Sequence, residues 1–363
     1  MKALVRAPSR GLSRRLYAAT KTLSPGYYSM VMATGILSIA ALLLGVPLLP
    51  QILFALNWVF FAAICVLAVL RVLWHLPRVL ADLGDHIQAF GFFTFVAACS
   101  VLASETLLVG GDRRVAVALG VAAAIAWVGL TYIVFGVITV KPRKPRLSRG
   151  INGGWLLAVV ATQALAILGA QLAPQAALGV RLPLNFFALA LWLFGGMLYI
   201  WLMSLIFYRY TFFVFSPADL SPPYWINMGA MAISTLAGAL LIDGASQSAL
   251  LASMLPFIKG FTVFYWATGT WWIPMLILLA VWRHAVRRFP FRYDPMYWGA
   301  IFPVGMYAAA TERLLTVLHL SFLQVLPEVM LGLGIIAWLL LFGGQLGAAY
   351  RGLTAPEVRC DVA

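Results

Sequence analysis

Ten apolar stretches, each long enough to cross a bilayer, fill almost the whole of this 363-residue chain, and the loops between them alternate between rich and poor in lysine and arginine. A hydrocarbon core about 30 Å thick takes about 20 apolar residues of helix, each rising about 1.5 Å. Backbone polar groups in that layer must be satisfied within the protein, so only helices or closed barrels span it, and runs of this length select helices. The spans read near residues 26 to 46, 50 to 73, 87 to 109, 115 to 140, 151 to 173, 183 to 207, 225 to 242, 250 to 282, 296 to 316 and 325 to 349. With 63% hydrophobic and 10% charged residues, the chain has too little polar surface to clothe a soluble globule of its length. The predicted fold class is therefore all-α integral membrane.

The net charge of +14 is distributed by loop. Lys2, Arg6, Arg10, Arg14, Arg15 and Lys21 precede the first span, Arg71 and Arg78 follow the second, and Lys141, Arg143, Lys144, Arg146 and Arg149 follow the fourth. Arg209 follows the sixth, Arg283, Arg287, Arg288 and Arg292 the eighth, and Arg351 and Arg359 lie in the tail, so 20 of the 25 cations share one side. That bias marks the cytoplasmic face of a cell (plasma or inner) membrane and removes nucleic acid as the reason for the charge. Both termini are expected in the cytoplasm, with residues 1–22 as an arm, 23–350 as the membrane domain and 351–363 as a tail. The arm lacks a short apolar run followed by a small-residue cleavage site, so no removable signal peptide is read. Residues 1–21 are either a disordered basic arm or an amphipathic helix on anionic headgroups, with Leu12, Leu16 and Tyr17 for its apolar face.

Cys65, Cys99 and Cys360 have no metal or redox spacing, and His75, His284 and His319 sit at span ends or in loops. Asp82, Asp85 and His86 form the one group resembling a ligand cluster; a loop that caps the third span is the plainer reading. No metal and no cofactor are expected. A membrane enzyme acting on a lipid or isoprenoid would need clustered carboxylates or histidines at one leaflet, which the chain lacks, so no enzymatic activity is expected.

Odd and even spans differ in composition. Odd spans concentrate small and weakly polar residues, including Thr34, Gly35, Ser38, Thr94, Ser100, Thr162, Gln163, Asn227, Ser234 and Thr311, whereas even spans read bulkier, as in Leu191 to Phe207. A polar side chain facing lipid is costly, so these residues should face other helices or water. Small residues also let helices pack closely, and a single Ser or Thr can bond its own helix. The alternation favours five helical hairpins, odd helices inside and even helices outside, around a central pore. Thr34, Gly35, Thr94, Thr162, Gln163, Asn227 and Met231 are its candidate lining.

Pro303 lies inside the ninth span, Pro274 inside the eighth, and Pro222 and Pro223 just before the seventh. An internal proline removes a backbone hydrogen bond and is expected to kink its helix. If a kink at Pro303 turns Phe302 inward, the ring would plug a narrow path as a dewetting gate; ordinary interhelical packing is the other reading. Glu105 and Lys259 lie beside apolar sequence and form a possible charge site, with Lys259 expected to snorkel near the outer end of its span. Glu312 and Arg313 read as an interfacial pair.

Four segments carry a resemblance. They are Ser24-Pro25-Gly26-Tyr27-Tyr28 with Met32-Ala33-Thr34-Gly35; Asn152-Gly153-Gly154-Trp155-Leu156 with Ala161-Thr162-Gln163; Pro222 to Gly229; and Trp298-Gly299-Ala300-Ile301-Phe302-Pro303. In this order the chain resembles the tellurite-resistance/dicarboxylate transporter family, which includes malate permeases, sulfite exporters and the slow anion channels of plant guard cells. The resemblance implies ten helices in five hairpins, a homotrimer with one pore per subunit, and an aromatic gate on the ninth helix that falls on Phe302 and Pro303. Ala33 departs from the Met-Gly-Thr-Gly form found among fungal members, which leaves the solute more open than the fold. The expected activity is transport of a small anionic solute across the lipid bilayer, a C4-dicarboxylate such as malate first, with sulfite, tellurite-related oxyanions, chloride or nitrate as alternatives. Weak attraction is expected from the hydroxyls of Thr34, Thr94 and Thr162, the amides of Gln163 and Asn227, and the basic cytoplasmic mouth, because a fixed cation deep in the path would hold an anion too tightly to release it.

Overall fold

A computed structural model of the chain describes residues 12–290 and 294–354. Lys2, Arg6, Arg10, Arg292, Arg359 and Cys360 lie outside those residues. The described chain is helical with no β-strand, and ten helices are long and apolar enough to cross a membrane. They are Pro25–Leu43, Leu49–Leu83, Ala89–Leu108, Arg113–Val140, Gly153–Gln175, Leu178–Phe212, Pro222–Gln247, Leu255–Val286, Trp298–Leu318 and Ser321–Ala348, numbered here as the first to tenth spans.

Several helices outrun the stretches that hydropathy marks. The second continues to Leu83, with a break in helical geometry at His75 (φ −133°) two residues before Pro77. Pro77 removes a helical N–H, and its ring crowds the preceding turn, which accounts for a break at this point. Pro274 and Pro303 sit inside helices with no comparable break among the described residues. The overlong eighth stretch divides at Met254 into Ala249–Ser253 and Leu255–Val281, which places Lys259 one turn inside the longer helix, exposed. Residues Leu12–Lys21 form a helix rather than a disordered arm. It lies against the second span, where His75 Nε2 is 3.0 Å from the Tyr17 carbonyl oxygen and the Tyr17 ring packs on His75 and Trp74.

The alternation in composition becomes an alternation in burial. In the most apolar window of each odd span 67–89% of residues are buried, against 17–56% in the even spans. The first span packs on the third, the third on the fifth, the fifth on the seventh, the seventh on the ninth and the ninth on the first, which closes a ring of five. Each odd span also packs against the even span that follows it. Small residues allow the close approach: a Cβ on Gly229 would lie 2.7 Å from Pro303 Cγ, so only glycine fits opposite the proline of the ninth span.

All five odd spans begin the same way. Each opens with a 3-10 turn, at Pro25–Tyr28, Ala89–Phe92, Gly153–Leu156, Pro222–Trp225 and Pro295–Tyr297, before the helix proper. These turns touch in sequence and close a second, smaller ring beneath the first. Gly153 shows how tight it is, since a Cβ there would meet the backbone of Tyr224 at 2.7 Å. Before the first, third and fifth of these turns a side chain satisfies an exposed N–H group. Ser24 Oγ accepts from Gly26 N at 3.2 Å, Asn152 Oδ1 from Gly154 N at 2.8 Å, and Asp294 Oδ1 from Met296 N at 2.8 Å. Asp85 Oδ1 accepts from Ile87 N and Gln88 N at 2.8 and 2.9 Å, so the acidic loop before the third span closes its own turn rather than capping the helix directly.

Candidate functional site: the axis of the inner ring

A small cavity of about 20 Å³ lies inside the ring and takes its walls from all five odd spans. Ile36 and Ile39 come from the first span, Ser100, Val101 and Ser104 from the third, Ala164, Ile167 and Gln171 from the fifth, Ile233 and Leu236 from the seventh, and Met306 from the ninth. It has room for about one water molecule. Phe302 lies one turn before Met306, on the same helical face because residues four apart lie one above the other, and is 1% exposed. Met306 walls the cavity on the ninth-span side, and Pro303 lies against Gly229.

The polar residues expected to line the axis mostly do not face it, which corrects the earlier reading. Thr34 accepts from the Trp338 indole at 2.9 Å and donates to Met30 O at 2.9 Å, so it looks outward to the tenth span, roughly opposite Ile36 and Ile39 at about 100° per residue. Thr162 does the same with the Trp127 indole (2.8 Å) and Ala158 O (2.8 Å), facing the fourth span. Gln163 donates to Trp192 O at 3.0 Å and packs on Gly195 in the sixth span. The Asn227 side-chain amide donates to the Tyr210 hydroxyl at 3.0 Å, and the Asn227 backbone carbonyl accepts from the Tyr199 hydroxyl at 3.3 Å. Met231 packs against Gly269 of the eighth span, and Thr94 donates to Gly91 O and Pro25 O, tying together the first two turns of the smaller ring.

A common physical cause links these placements. A threonine hydroxyl donates to the carbonyl four residues back and keeps its lone pairs for another donor. The outer helices carry tryptophans, whose indole N–H must find an acceptor in the apolar layer. Trp127 with Thr162, Trp338 with Thr34, and Trp266 with Thr311 (3.1 Å) each join an outer helix to an inner one in this way, and Trp192 donates to Ser234 O at 2.9 Å. The weakly polar residues of the odd spans thus hold the second shell of helices to the ring, while the face toward the axis is apolar apart from Ser100, Ser104 and Gln171.

The charged candidates separate as well. Glu105 is fully buried between the first three spans, where Oε2 accepts from Asn57 Nδ2 at 2.7 Å and Gly35 leaves the necessary space. Lys259 is exposed and shares no ion pair with it. Glu312 accepts from Gln324 at 2.6 Å and Arg313 pairs with Asp243 at 2.6 Å, so these neighbours serve different partners rather than each other.

Electrostatics favour one sign of solute. The five odd spans start at the lysine- and arginine-rich end, so the positive ends of five helix dipoles surround the axis at one mouth. A closed ring of spans with an apolar axis and a positive mouth is the build of a helical membrane channel or transporter for anions. Its sequence agrees: residues 22–346 match the family described as voltage-dependent anion channel, and the chain belongs to that family of anion channels and transporters. Two uncharacterized transporters of Methanocaldococcus jannaschii are similar to it, at 27% identity with 89% of this chain and 90% of the relative covered, and at 25% with 89% and 92% covered. An uncharacterized membrane protein of Mycobacterium tuberculosis is 37% identical over 150 residues, which are 41% of this chain and 75% of that protein.

The repeat of the five opening turns is a feature the sequence carries and composition hides. Ser24, Gln88, Asn152, Ser221 and Asp294 precede them at intervals of 64, 64, 69 and 73 residues, and every turn contains aromatic residues or ends beside one. That period of one helical pair is the signal that finds the second ring.

Proposed function

We propose that the chain forms a passive path for small anions along the ring axis, closed in this conformation by Phe302 with Met306 above it. The observation that carries the reading is the axial cavity with walls from all five odd spans, Met306 among them, with the buried Phe302 one turn earlier on the same helix. The basic loops and the helix N-termini raise the local anion concentration at one mouth without a fixed charge in the path. On this reading the lysine- and arginine-rich mouth is cytoplasmic, the protein resides in the cell membrane, and three copies assemble with one path each, the last by resemblance.

A C4-dicarboxylate such as malate is the solute suggested by the resemblance. The lining favours the inorganic alternative: it contains no charged side chain, and the cost of taking an ion into an apolar passage rises steeply with its charge, so chloride or nitrate passes more cheaply than a dianion. Flux of labelled chloride, nitrate, sulfite and malate into liposomes, with and without a pH gradient, tests both levels. The expected result is anion flux that needs no pH gradient, with the singly charged ions fastest. Malate flux above nitrate restores the dicarboxylate reading, and absence of flux for every anion from inserted protein removes the transport reading.

A further inference from the structure

We infer that the basic end of the protein holds one anionic phospholipid, its phosphate on Lys21, Arg71 and Arg78 and one acyl chain in an apolar chamber between the first four spans. Two cavities meet there. One, of about 300 Å³, is walled by apolar side chains that include Ile64 and Ala68 of the second span, Phe95 of the third, and Ala126 and Leu130 of the fourth. The other, of about 340 Å³, lies between the end of the Leu12–Lys21 helix and the second span and is lined by Lys21, Arg71 and Arg78. Both are of ligand-pocket size, and they share Leu23, Ser24, Pro25 and Arg71.

Arg71 is the hinge of the site. Its side chain is only 9% exposed; the guanidinium gives Nη2 to Asp82 at 2.5 Å, and Nε is buried with no partner among the described residues. Three cations stand against one carboxylate in the polar half, an excess of two positive charges suited to a phosphodiester. Ser24 Oγ already accepts from Gly26 N, so its hydroxyl hydrogen is left to donate.

The surroundings select a lipid over a free anion. Val72, which lines the apolar half, is 46% exposed on a helix whose outer face is apolar, so the chamber opens sideways toward acyl chains. The polar half lies at the level of the basic loops, where anionic headgroups collect. The break at His75 builds the recess, because it bends the second span where the Leu12–Lys21 helix crosses, and Arg78 Nη1 reaches the Lys21 carbonyl at 3.4 Å. A phosphate ion could use the cations alone; an amphiphile uses both halves.

The test is native mass spectrometry of the full chain in detergent, titrated with dioleoyl phosphatidylglycerol, dioleoyl phosphatidylcholine and inorganic phosphate. One phosphatidylglycerol per chain should be retained where phosphatidylcholine is not. The Lys21→Gln/Arg78→Gln variant, altered at two exposed positions, should lose about fivefold in affinity per cation removed. Ala68→Phe fills the apolar half and should release the lipid with every cation in place, an unchanged thermal unfolding curve showing that the fold persists. Equal retention of the two lipids, unchanged binding in the double variant, or phosphate competition with Ala68→Phe still binding would each overturn the assignment.

Discussion

Replacing Thr34 by valine separates a structural role from a conducting one. Valine keeps the shape but removes the acceptor for Trp338, whose Nε1 lies 2.9 Å from the hydroxyl at a site where Thr34 is fully buried and Trp338 is 5% exposed. An unpaired buried donor costs roughly 1–3 kcal/mol in soluble proteins. Within bilayers the measured coupling averages about 0.6 kcal/mol and reaches about 1.7, because the unfolded helices also find partners. The hydroxyl's own bond to Met30 O adds little, since that carbonyl also belongs to the helical ladder. Thr34→Val should therefore destabilise by about 1 kcal/mol, and a double-mutant cycle with Trp338→Phe should show a coupling within about 0.6–1.7 kcal/mol. Equilibrium unfolding of the purified protein measures the cycle, and anion flux in liposomes should stay at the level of the unaltered protein. Additive single effects, or altered anion selectivity in a stable Thr34→Val protein, would refute the clasp and return the hydroxyl to the conduit.

Two further substitutions probe the inner ring. Gly229→Ala sets a methyl 2.7 Å from Pro303 Cγ and must displace the ninth span; it should cost about 1–3 kcal/mol and alter basal flux, and unchanged stability with unchanged flux counts against the contact. Glu105→Gln preserves an acceptor for Asn57 and should keep both stability and passive flux, whereas Glu105→Leu leaves that amide unpaired and should cost about 1–3 kcal/mol in the same unfolding assay. Loss of flux in a stable Glu105→Gln protein would make the carboxyl part of the transport cycle.

The number of spans, their type and the division between inner and outer helices were legible because each rests on many residues: runs of apolar side chains, basic loops at alternate ends, and small residues recurring in every odd span. The direction of single polar side chains was not. Composition says that the fifth span carries Thr162 and Gln163, but the face they occupy depends on about 100° of rotation per residue, and Ala164, only two positions from Thr162, reaches the axis instead. The acceptors that tryptophans need would have corrected this, since Trp127, Trp266 and Trp338 on even spans each require a partner that lipid does not supply. The direction of Phe302 was no more legible, because its neighbour Pro303 lies against Gly229 through a contact that only the packed helices define. The break at His75 is not legible in hydropathy, because the second apolar stretch ends near residue 73 although the helix runs on to Leu83.

The central claim is that an anion path runs along the ring axis and is shut by one aromatic side chain. Single-protein conductance of Phe302→Ala in planar bilayers or oocytes, alongside unaltered protein matched for insertion and assembly, tests it most directly. A rise in passive chloride or nitrate current is predicted, with little change in the unaltered protein's closed state under the same conditions. Conductance no higher than that of the unaltered protein, from a variant shown to be folded and inserted, would contradict it.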